Sequence, residues 1–312
     1  MKSSASYRFA AALALCTLTS LPSRALPAPQ TQDAQESAIV VEPLFDYPAP
    51  PEEVENLKER SEWVLAHFWE PMDFKKKSAV DQNALNHAFG IYTLAMQWAS
   101  PQAVDKSVAS LLKSLSKNPA LTLQFTKAAE ENLYGPRAPF WGDAIYADFL
   151  RSAVSNKKIG ASRREKFAAK LKKIESSQKG AKAPAFTFTR PDGSEARYFP
   201  MATPTMIVFG NPDNPDIRLA RLRMDTNITF SRLLKGGKAN VLFILPGEAP
   251  EDWGKTASDC PAEMTVGASG EAAERYDLKI SPSCYVIDAN GKIAAGNIDM
   301  DTAVITLAGL AE

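Results

Sequence analysis

The sequence predicts an α/β protein in which an all-helical bundle is followed by a segment of alternating strands and helices. Apolar residues recur at three- and four-residue spacing throughout residues 51–179, which is the period of amphipathic helices. After a small, polar stretch at residues 175–183, short β-branched runs alternate with helical patterns. Two turns, Pro191-Asp192-Gly193 and Ala289-Asn290-Gly291, lie between such runs and predict β-hairpins.

The first 25 residues are typical of a secretory signal peptide. Lys2 and Arg8 precede an apolar run over residues 9–16, and Ser23-Arg24-Ala25 provides a small-x-small cleavage site. The apolar run is short, and no later segment reaches the roughly 18 apolar residues that an integral membrane span needs. We therefore expect a protein that is exported to the periplasm or secreted.

A lipoprotein is the alternative reading of this N-terminus. It would use Cys16, but Leu15 stands where a small residue is expected before a lipidated cysteine. In either reading, residues 30–37 are polar and Pro48-Ala49-Pro50-Pro51 follows a brief apolar patch, so residues 26–50 are predicted to be a flexible N-terminal arm.

Charge and histidine content exclude several classes of function. The 36 basic and 36 acidic side chains balance, so the composition does not support nucleic-acid binding. The chain has only two histidines, His67 and His87, both in the helical segment, which gives a weak signal for a metal. A Ser-His-Asp or Cys-His centre in the C-terminal segment is excluded. We expect no metal and no other cofactor.

The helical segment, residues 51–179, contains about six predicted helices. The acidic turn Pro51-Glu52-Glu53 predicts the start of the first, and Pro101 and Pro119 fall where a first helical turn tolerates proline. The others cover residues 80–99, 101–115, 119–133, 141–154 and 162–175. The loop from Tyr134 to Trp141 combines Pro, Gly, aromatic side chains and an arginine, which predicts a protein-contact surface.

The C-terminal segment, residues 183–312, begins with a hairpin and continues as alternating elements. Gly236-Gly237 ends the first long helix. Strands are predicted over residues 186–188, 197–199, 206–209, 241–245, 283–288 and 292–295; helices or helical turns over 215–234, 250–258, 269–276 and 299–310.

This order of elements resembles that of the thioredoxin-like fold. The stretches Tyr276–Ser283 and Ile287–Ile293 look like that family's second signature, in which a cis-proline, here Pro282, lies beside the redox site. The resemblance implies a central mixed sheet flanked by helices. The stretches Arg60–Trp69 and Leu133–Pro136 resemble a helical domain of unknown function that precedes thioredoxin-like domains in bacterial envelope proteins.

The residues at the expected redox centre depart from the thioredoxin pattern. The family writes this edge as Phe-x-x-x-x-Cys-x-x-Cys, but here Phe209 is followed by Asn214 and Ile217. Neither an amide nor an alkyl group can form a thiolate, so we expect these degenerate positions to have no catalytic role. Asn214 and Pro215 suit the start of a helix. Together with Ser281 and Pro282 they are our candidate binding residues, in a groove for a protein or peptide partner.

Two alternatives remain open. Cys260 and Cys284 could form a structural disulfide or stay as two unpaired thiols, and as a catalytic pair they would make the protein a thiol-disulfide oxidoreductase. The second alternative is a structural spacer with no partner. The sequence therefore leaves enzymatic activity undecided and favours binding without catalysis.

Overall fold

The computed structural model describes residues 42–75, 79–200, 202–211, 214–251, 253 and 263–311. The predicted signal peptide, most of the predicted arm and Cys260 lie outside the described residues. None of the helices within the described ranges has the length and apolar character that crossing a bilayer requires.

Side-chain caps set the limits of the helices in the N-terminal half. Asp81, Ser100 and Asn118 each accept a hydrogen bond from a backbone N–H in the first turn of the helix that follows. The helices are α1 Leu57–His67, α2 Gln82–Met96, α3 Pro101–Leu115, α4 Pro119–Leu133, α5 Asp143–Ser155 and α6 Ala161–Ser177. Both α3 and α4 begin at the predicted prolines.

The first helix begins later than the sequence suggested. Pro51-Glu52-Glu53 precedes α1 as a turn, and Asn56 caps the helix instead by accepting from the backbone N–H groups of Lys58 and Glu59. The helix begins at Asn56 because its side-chain oxygen satisfies two N–H groups of the first turn. Acidic residues in a turn, by themselves, fix the start of a helix less strongly.

An aromatic core fills the helical bundle. Phe68, Trp69, Phe89, Tyr92 and Phe125 are buried and pack mainly edge to face at centroid distances of 4.9 to 6.2 Å. Leu44, Phe45 and Tyr47 also pack on this core. These three residues belong to the stretch of residues 26–50 predicted to be a flexible arm, and the flexibility of that arm stays a prediction.

The C-terminal half is a seven-stranded mixed sheet in the order β2-β1-β5-β4-β3-β6-β7. Its strands are β1 Phe186–Thr189, β2 Glu195–Tyr198, β3 Thr205–Phe209, β4 Asn240–Leu245, β5 Thr265–Ala268, β6 Ser283–Ile287 and β7 Ile293–Ile298. The central strands β3, β4 and β5 are parallel, and β1, β2, β6 and β7 join antiparallel. The predicted mixed sheet flanked by helices is confirmed.

Helices cover both faces of the sheet. Strand β3 is therefore buried on both sides. The helices are α7 Pro215–Thr226, α8 Ile228–Lys235, α9 Gly270–Arg275 and α10 Met300–Ala311. Met206 and Val208 face the core formed with α7, α8 and α10, whereas Ile207 and Phe209 face the core that includes Tyr276, the residue after α9.

Two elements differ from the prediction. The helix expected over residues 215–234 is divided at Asn227, whose extended backbone ends α7 and whose side chain caps α8 by accepting from Phe230 N at 3.0 Å. The short strand β5 was not predicted. The element expected over residues 250–258 lies largely outside the described residues.

The connection between the two halves is ordered by hydrogen bonds. After α6, Gly180 N donates to Ile293 O at 2.7 Å and Ala183 N donates to Gly291 O at 2.9 Å. The polar stretch therefore lies against β7 and its hairpin turn, and the described residues belong to one compact unit, Val41–Glu312. The domain limits 51–179 and 183–312 stay a prediction.

Candidate functional site

The turn from β3 into α7 holds the two degenerate positions. Asn214 Oδ1 accepts a hydrogen bond from Asp216 N at 2.8 Å, and Pro215 occupies the first helical turn. Asn214 is half-buried and Pro215 is exposed. The expected capping role of Asn214 is confirmed, because its amide satisfies an N–H that would otherwise be unpaired at the helix end.

Ile217 and Pro282 both lie close to Gly210, the residue that follows β3. A methyl group built on Gly210 would lie 2.4 Å from Cδ1 of Ile217 and 3.6 Å from Cα of Pro282. Ile217 is fully buried, and Pro282 is half-buried with a cis peptide bond to Ser281. The structure thus brings the second degenerate position next to the predicted cis-proline and fills the space between them with alkyl groups.

Ser281 presents an unpaired backbone at this edge. Its side chain is exposed, and within the described residues its backbone N–H and C=O make no hydrogen bond. Main-chain groups of this kind normally find a partner in the protein, in water or in a bound chain. The edge can therefore accept an extended polypeptide by backbone hydrogen bonds.

Asn297 fixes the loop on both sides of Ser281. Its Oδ1 accepts from Lys279 N at 3.0 Å and from Ser283 Oγ at 2.8 Å, and its Nδ2 donates to Tyr285 Oη at 3.1 Å. Asn297 has a φ of 53°, in the left-handed region that asparagine tolerates better than most residues. The loop is held in place although its tip is unpaired.

The helical half contacts the same loop through a buried polar cluster. Tyr134 Oη donates to Asp277 Oδ1 at 2.5 Å, and Lys279 Nζ pairs with Asp143 and lies 4.0 Å from Asp277 Oδ2. The side chains of Lys279 and Asp277 are each 6% exposed. Nζ of Lys279 also lies 4.5 Å from the ring centroid of Tyr134 and 5.0 Å from that of Trp141. We call Tyr134, Asp143, Asp277 and Lys279 the interface cluster.

Burial dominates the electrostatics of the interface cluster. It raises the pKa of the Asp277 carboxyl, although the hydrogen bond from Tyr134 and the charge of Lys279 act in the opposite direction. Burial and the nearby carboxylate of Asp277 also raise the pKa of the Tyr134 phenol. Tyr134 therefore remains a hydrogen-bond donor at neutral pH.

Cys284 has no activating partner among the described residues. Its side chain is buried on β6, where Val208 lies opposite it on one neighbouring strand and Ile298 on the other. Burial raises its pKa to about 12, and the charge of Asp299 adds to the shift. Cys260 lies outside the described residues, so the predicted disulfide and the catalytic pair stay predictions.

The two histidines have local partners. His67 Nδ1 lies 3.0 Å from Glu70 Oε1, and His87 Nδ1 lies 3.2 Å from Tyr47 Oη. Within the described ranges, His, Cys, Asp and Glu side chains nowhere gather in threes as a metal site would require.

A cleft of about 620 Å³ between α1 and α3 lies elsewhere, in the helical half. Three of its polar side chains already have partners: Ser107 Oγ donates to Leu65 O, Glu62 accepts from Ser100 N, and Glu70 contacts His67. The unpaired backbone of Ser281 is the stronger candidate for binding, because its hydrogen-bonding capacity is unused.

The sequence did not reveal the part that Asp143, Asp277 and Lys279 take in this site. The sequence predicts that the loop from Tyr134 to Trp141 is a protein-contact surface. In the structure, the aromatic rings at its two ends contact Lys279 of the same chain. No local pattern connects Asp143 with Lys279, which lie 136 positions apart. The alternation of charged and apolar side chains from Asp277 to Ile280 was the one sequence pattern that could have pointed to Asp277 and Lys279.

Comparisons with known proteins agree with this architecture. Residues 23–177 match the family model DUF5106, a domain of unknown function, and the match ends at the last residue of α6. No curated protein matches the sequence. A thioredoxin-like protein from Bacteroides caccae superposes with a TM-score of 0.66 at 20% identity, covering 84% of this chain and 97% of its own.

Two shorter structures match within this chain. A conserved protein of unknown function from Bacteroides fragilis has 26% identity and a TM-score of 0.39, covering 42% of this chain and 99% of its own. The thioredoxin domain of a thiol-disulfide oxidoreductase from Bacteroides vulgatus has 17% identity and a TM-score of 0.38, covering 43% and 99%. Together, these comparisons show that residues 23–177 are similar to a domain of unknown function, DUF5106, and that the chain has a thioredoxin-like fold.

Proposed function

We propose that the protein binds an extended polypeptide at the edge formed by Asn214, Pro215, Ser281 and Pro282, without exchanging disulfides. One observation carries the proposal: the backbone N–H and C=O of exposed Ser281 are unpaired within the described residues. Strand addition uses main-chain hydrogen bonds of this kind. The hydrogen bonds of Asn297 hold the loop in one conformation, which lowers the entropy cost of binding.

The chemistry of the neighbouring side chains supports binding without exchange. Asn214 and Ile217 replace the thiols, and Ile217 is fully buried against Gly210. Cys284 is fully buried with a raised pKa, whereas an attacking cysteine needs access and a thiolate. The oxidoreductase alternative makes a different prediction: insulin reduction above background that is abolished by Cys284→Ala.

The binding test uses a permanently unfolded polypeptide without free thiols. Carboxymethylated α-lactalbumin carrying a fluorescent label meets both requirements, and its affinity is measured by fluorescence anisotropy. Ser281→Pro removes one backbone N–H, and loss of one hydrogen bond should weaken binding about three- to tenfold. Ser281→Ala keeps the backbone donor and should bind within about twofold of the wild type.

The two variants separate backbone recognition from other causes. Equal affinity of Ser281→Pro and the wild type would contradict the proposal, provided that urea unfolding shows both to be folded. Equal losses in Ser281→Pro and Ser281→Ala would also contradict it, because the serine side chain would then be the recognised group.

We further propose that the mature protein acts outside the cytoplasm. Met1–Ala25 supports this location through its basic start, apolar run and small-x-small cleavage site. N-terminal sequencing of the exported protein should give Leu26 as the first residue. A mature chain that begins at Cys16 with an attached lipid would instead identify a lipoprotein.

A further inference from the structure

We infer that the helical domain provides a second contact for the same polypeptide, in which the exposed ring of Trp141 binds an aromatic side chain. The inference rests on the proposed function of the Ser281 edge. It assigns a role to the loop from Gly135 to Trp141, which we call the Trp141 loop, and it specifies what kind of polypeptide is preferred.

The Trp141 loop is restrained along its length. Gly135 N donates to Glu130 O at 2.7 Å, Ala138 N donates to Gly135 O at 3.0 Å, and Gly142 N donates to Leu133 O at 2.8 Å. Pro136 and Pro139 limit the backbone further. An aromatic side chain on a restrained loop loses little conformational freedom when a partner binds.

Trp141 is exposed although it is anchored. The ammonium group of Lys279 lies over its ring at 5.0 Å from the centroid, and the side chain still has 41% of its surface accessible. One face of the ring is therefore occupied by the cation, and the rest can contact a partner. Exposed tryptophans on ordered loops are typical anchors of protein interfaces.

Lys279 places Trp141 within reach of a chain bound at Ser281. Ser281 follows Lys279 by two residues, at most about 7 Å along the backbone, and a lysine side chain extends roughly 6 Å. Adding the 5.0 Å from Nζ to the ring puts Trp141 within about 18 Å of Ser281. An extended chain rises about 3.3 Å per residue, so about five residues span this distance.

The charges of the interface cluster indicate an aromatic group rather than an ionic one on the partner. The charge of Lys279 is already offset by Asp143 and Asp277. Lys279 therefore offers no free charge to a partner, whereas the exposed part of the indole ring can stack on or meet the edge of another ring.

A peptide panel tests the inference. Each peptide has ten Thr, Val and Ser residues; the parent has no aromatic residue, and in the others one Phe replaces each position in turn. The wild type should bind at least one Phe peptide about five- to tenfold more tightly than the parent. Trp141→Ala should bind every Phe peptide with the same affinity as it binds the parent peptide. Trp141→Leu, which keeps an apolar side chain beside Lys279, should lose the preference too.

Trp98 supplies the matched control, because it is 59% exposed on the same helical domain. Trp98→Ala should keep the preference for Phe. The inference is overturned if Trp141→Ala or Trp141→Leu keeps it, or if the wild type shows no preference at any position. The proposed function fails separately, if Ser281→Pro binds every peptide as tightly as the wild type does.

Discussion

At the residue scale, Gly210 lies in tight packing beside Ile217 and Pro282. A side chain there would meet Ile217 at 2.4 Å and Pro282 at 3.6 Å. The first contact is with the terminal methyl group of a buried isoleucine, and the second is with the loop that carries Ser281. Ile217 and the loop of the proposed binding edge therefore both lie next to Gly210.

We predict that Gly210→Ala lowers the free energy of unfolding by about 1–3 kcal/mol, because the added methyl group overpacks the site. Ile217→Val removes the clashing Cδ1 atom, so it should cost less in the Gly210→Ala background than in the wild type. Urea unfolding of the two single variants and the double variant measures this coupling.

Gly247 provides the comparison, since a methyl group built on it meets nothing within 4 Å. Gly247→Ala should change the free energy of unfolding by less than about 0.5 kcal/mol. Additive effects of Gly210→Ala and Ile217→Val would show that the two side chains do not compete for the same space.

At the scale of single elements, α7 begins where a catalytic thiol would otherwise be expected. Asn214 Oδ1 accepts from Asp216 N at 2.8 Å, and Pro215 follows in the first turn. These residues start a helix that packs Ile217 and Met224 against the sheet. The degenerate position therefore has a structural task of its own.

Asn214→Ala should lower the free energy of unfolding by about 1 kcal/mol, because one N–H of the first turn loses its acceptor. Asn214→Asp keeps an acceptor and adds a charge that favours the helix N-terminus, so it should be close to the wild type. Thermal unfolding of both variants tests this. A loss in Asn214→Asp as large as in Asn214→Ala would argue against the capping role.

Elements with strong local signals could be predicted, and weak ones could not. The limits of α3 and α4 were predicted to the residue because a polar cap and a first-turn proline coincide at each start. Strand β5 has only four residues, Thr-Val-Gly-Ala, and its register comes from its neighbour β4. The break between α7 and α8 at Asn227 was not predicted, because a capping residue inside a continuous helical pattern of apolar residues looks like any other helical position.

At the scale of the whole molecule, the interface cluster joins the helical half to the half that contains the sheet, beside the proposed binding edge. Tyr134 and Asp143 lie in the helical half, and Asp277 and Lys279 lie in the half that contains the sheet. Lys173 Nζ strengthens the contact by donating to Ala273 O at 2.8 Å. A sequence pattern cannot reveal such pairs, because tertiary folding alone brings distant residues together.

Asp277 gives the interface a defined pH dependence. Its pKa is raised above the ordinary value of 3.8, so the folded protein holds this proton more tightly than the unfolded chain does. Its contribution to stability is therefore largest below pH 3.8 and is lost as the pH rises through the raised pKa. Asp277→Asn does not titrate, so its stability relative to the wild type should increase from pH 3 towards neutrality; urea unfolding at five pH values measures this.

Asp299 is the matched control with the opposite sign. Hydrogen bonds from Thr302 lower its pKa, so its stabilisation is present above the ordinary pKa and is lost as the pH falls. The stability of Asp299→Asn relative to the wild type should therefore decrease as the pH rises. If Asp277→Asn follows the same trend as Asp299→Asn, the ion pair with Lys279 outweighs the burial of Asp277.

Amide hydrogen exchange at Ser281 tests the central claim most directly. In the free protein this N–H is exposed and unpaired, so it should exchange rapidly. Nuclear magnetic resonance should show exchange at least about tenfold slower when one of the Thr/Val/Ser peptides saturates the protein, because the peptide backbone then accepts its hydrogen bond. Unchanged exchange at Ser281 in a saturated complex would contradict binding at this edge.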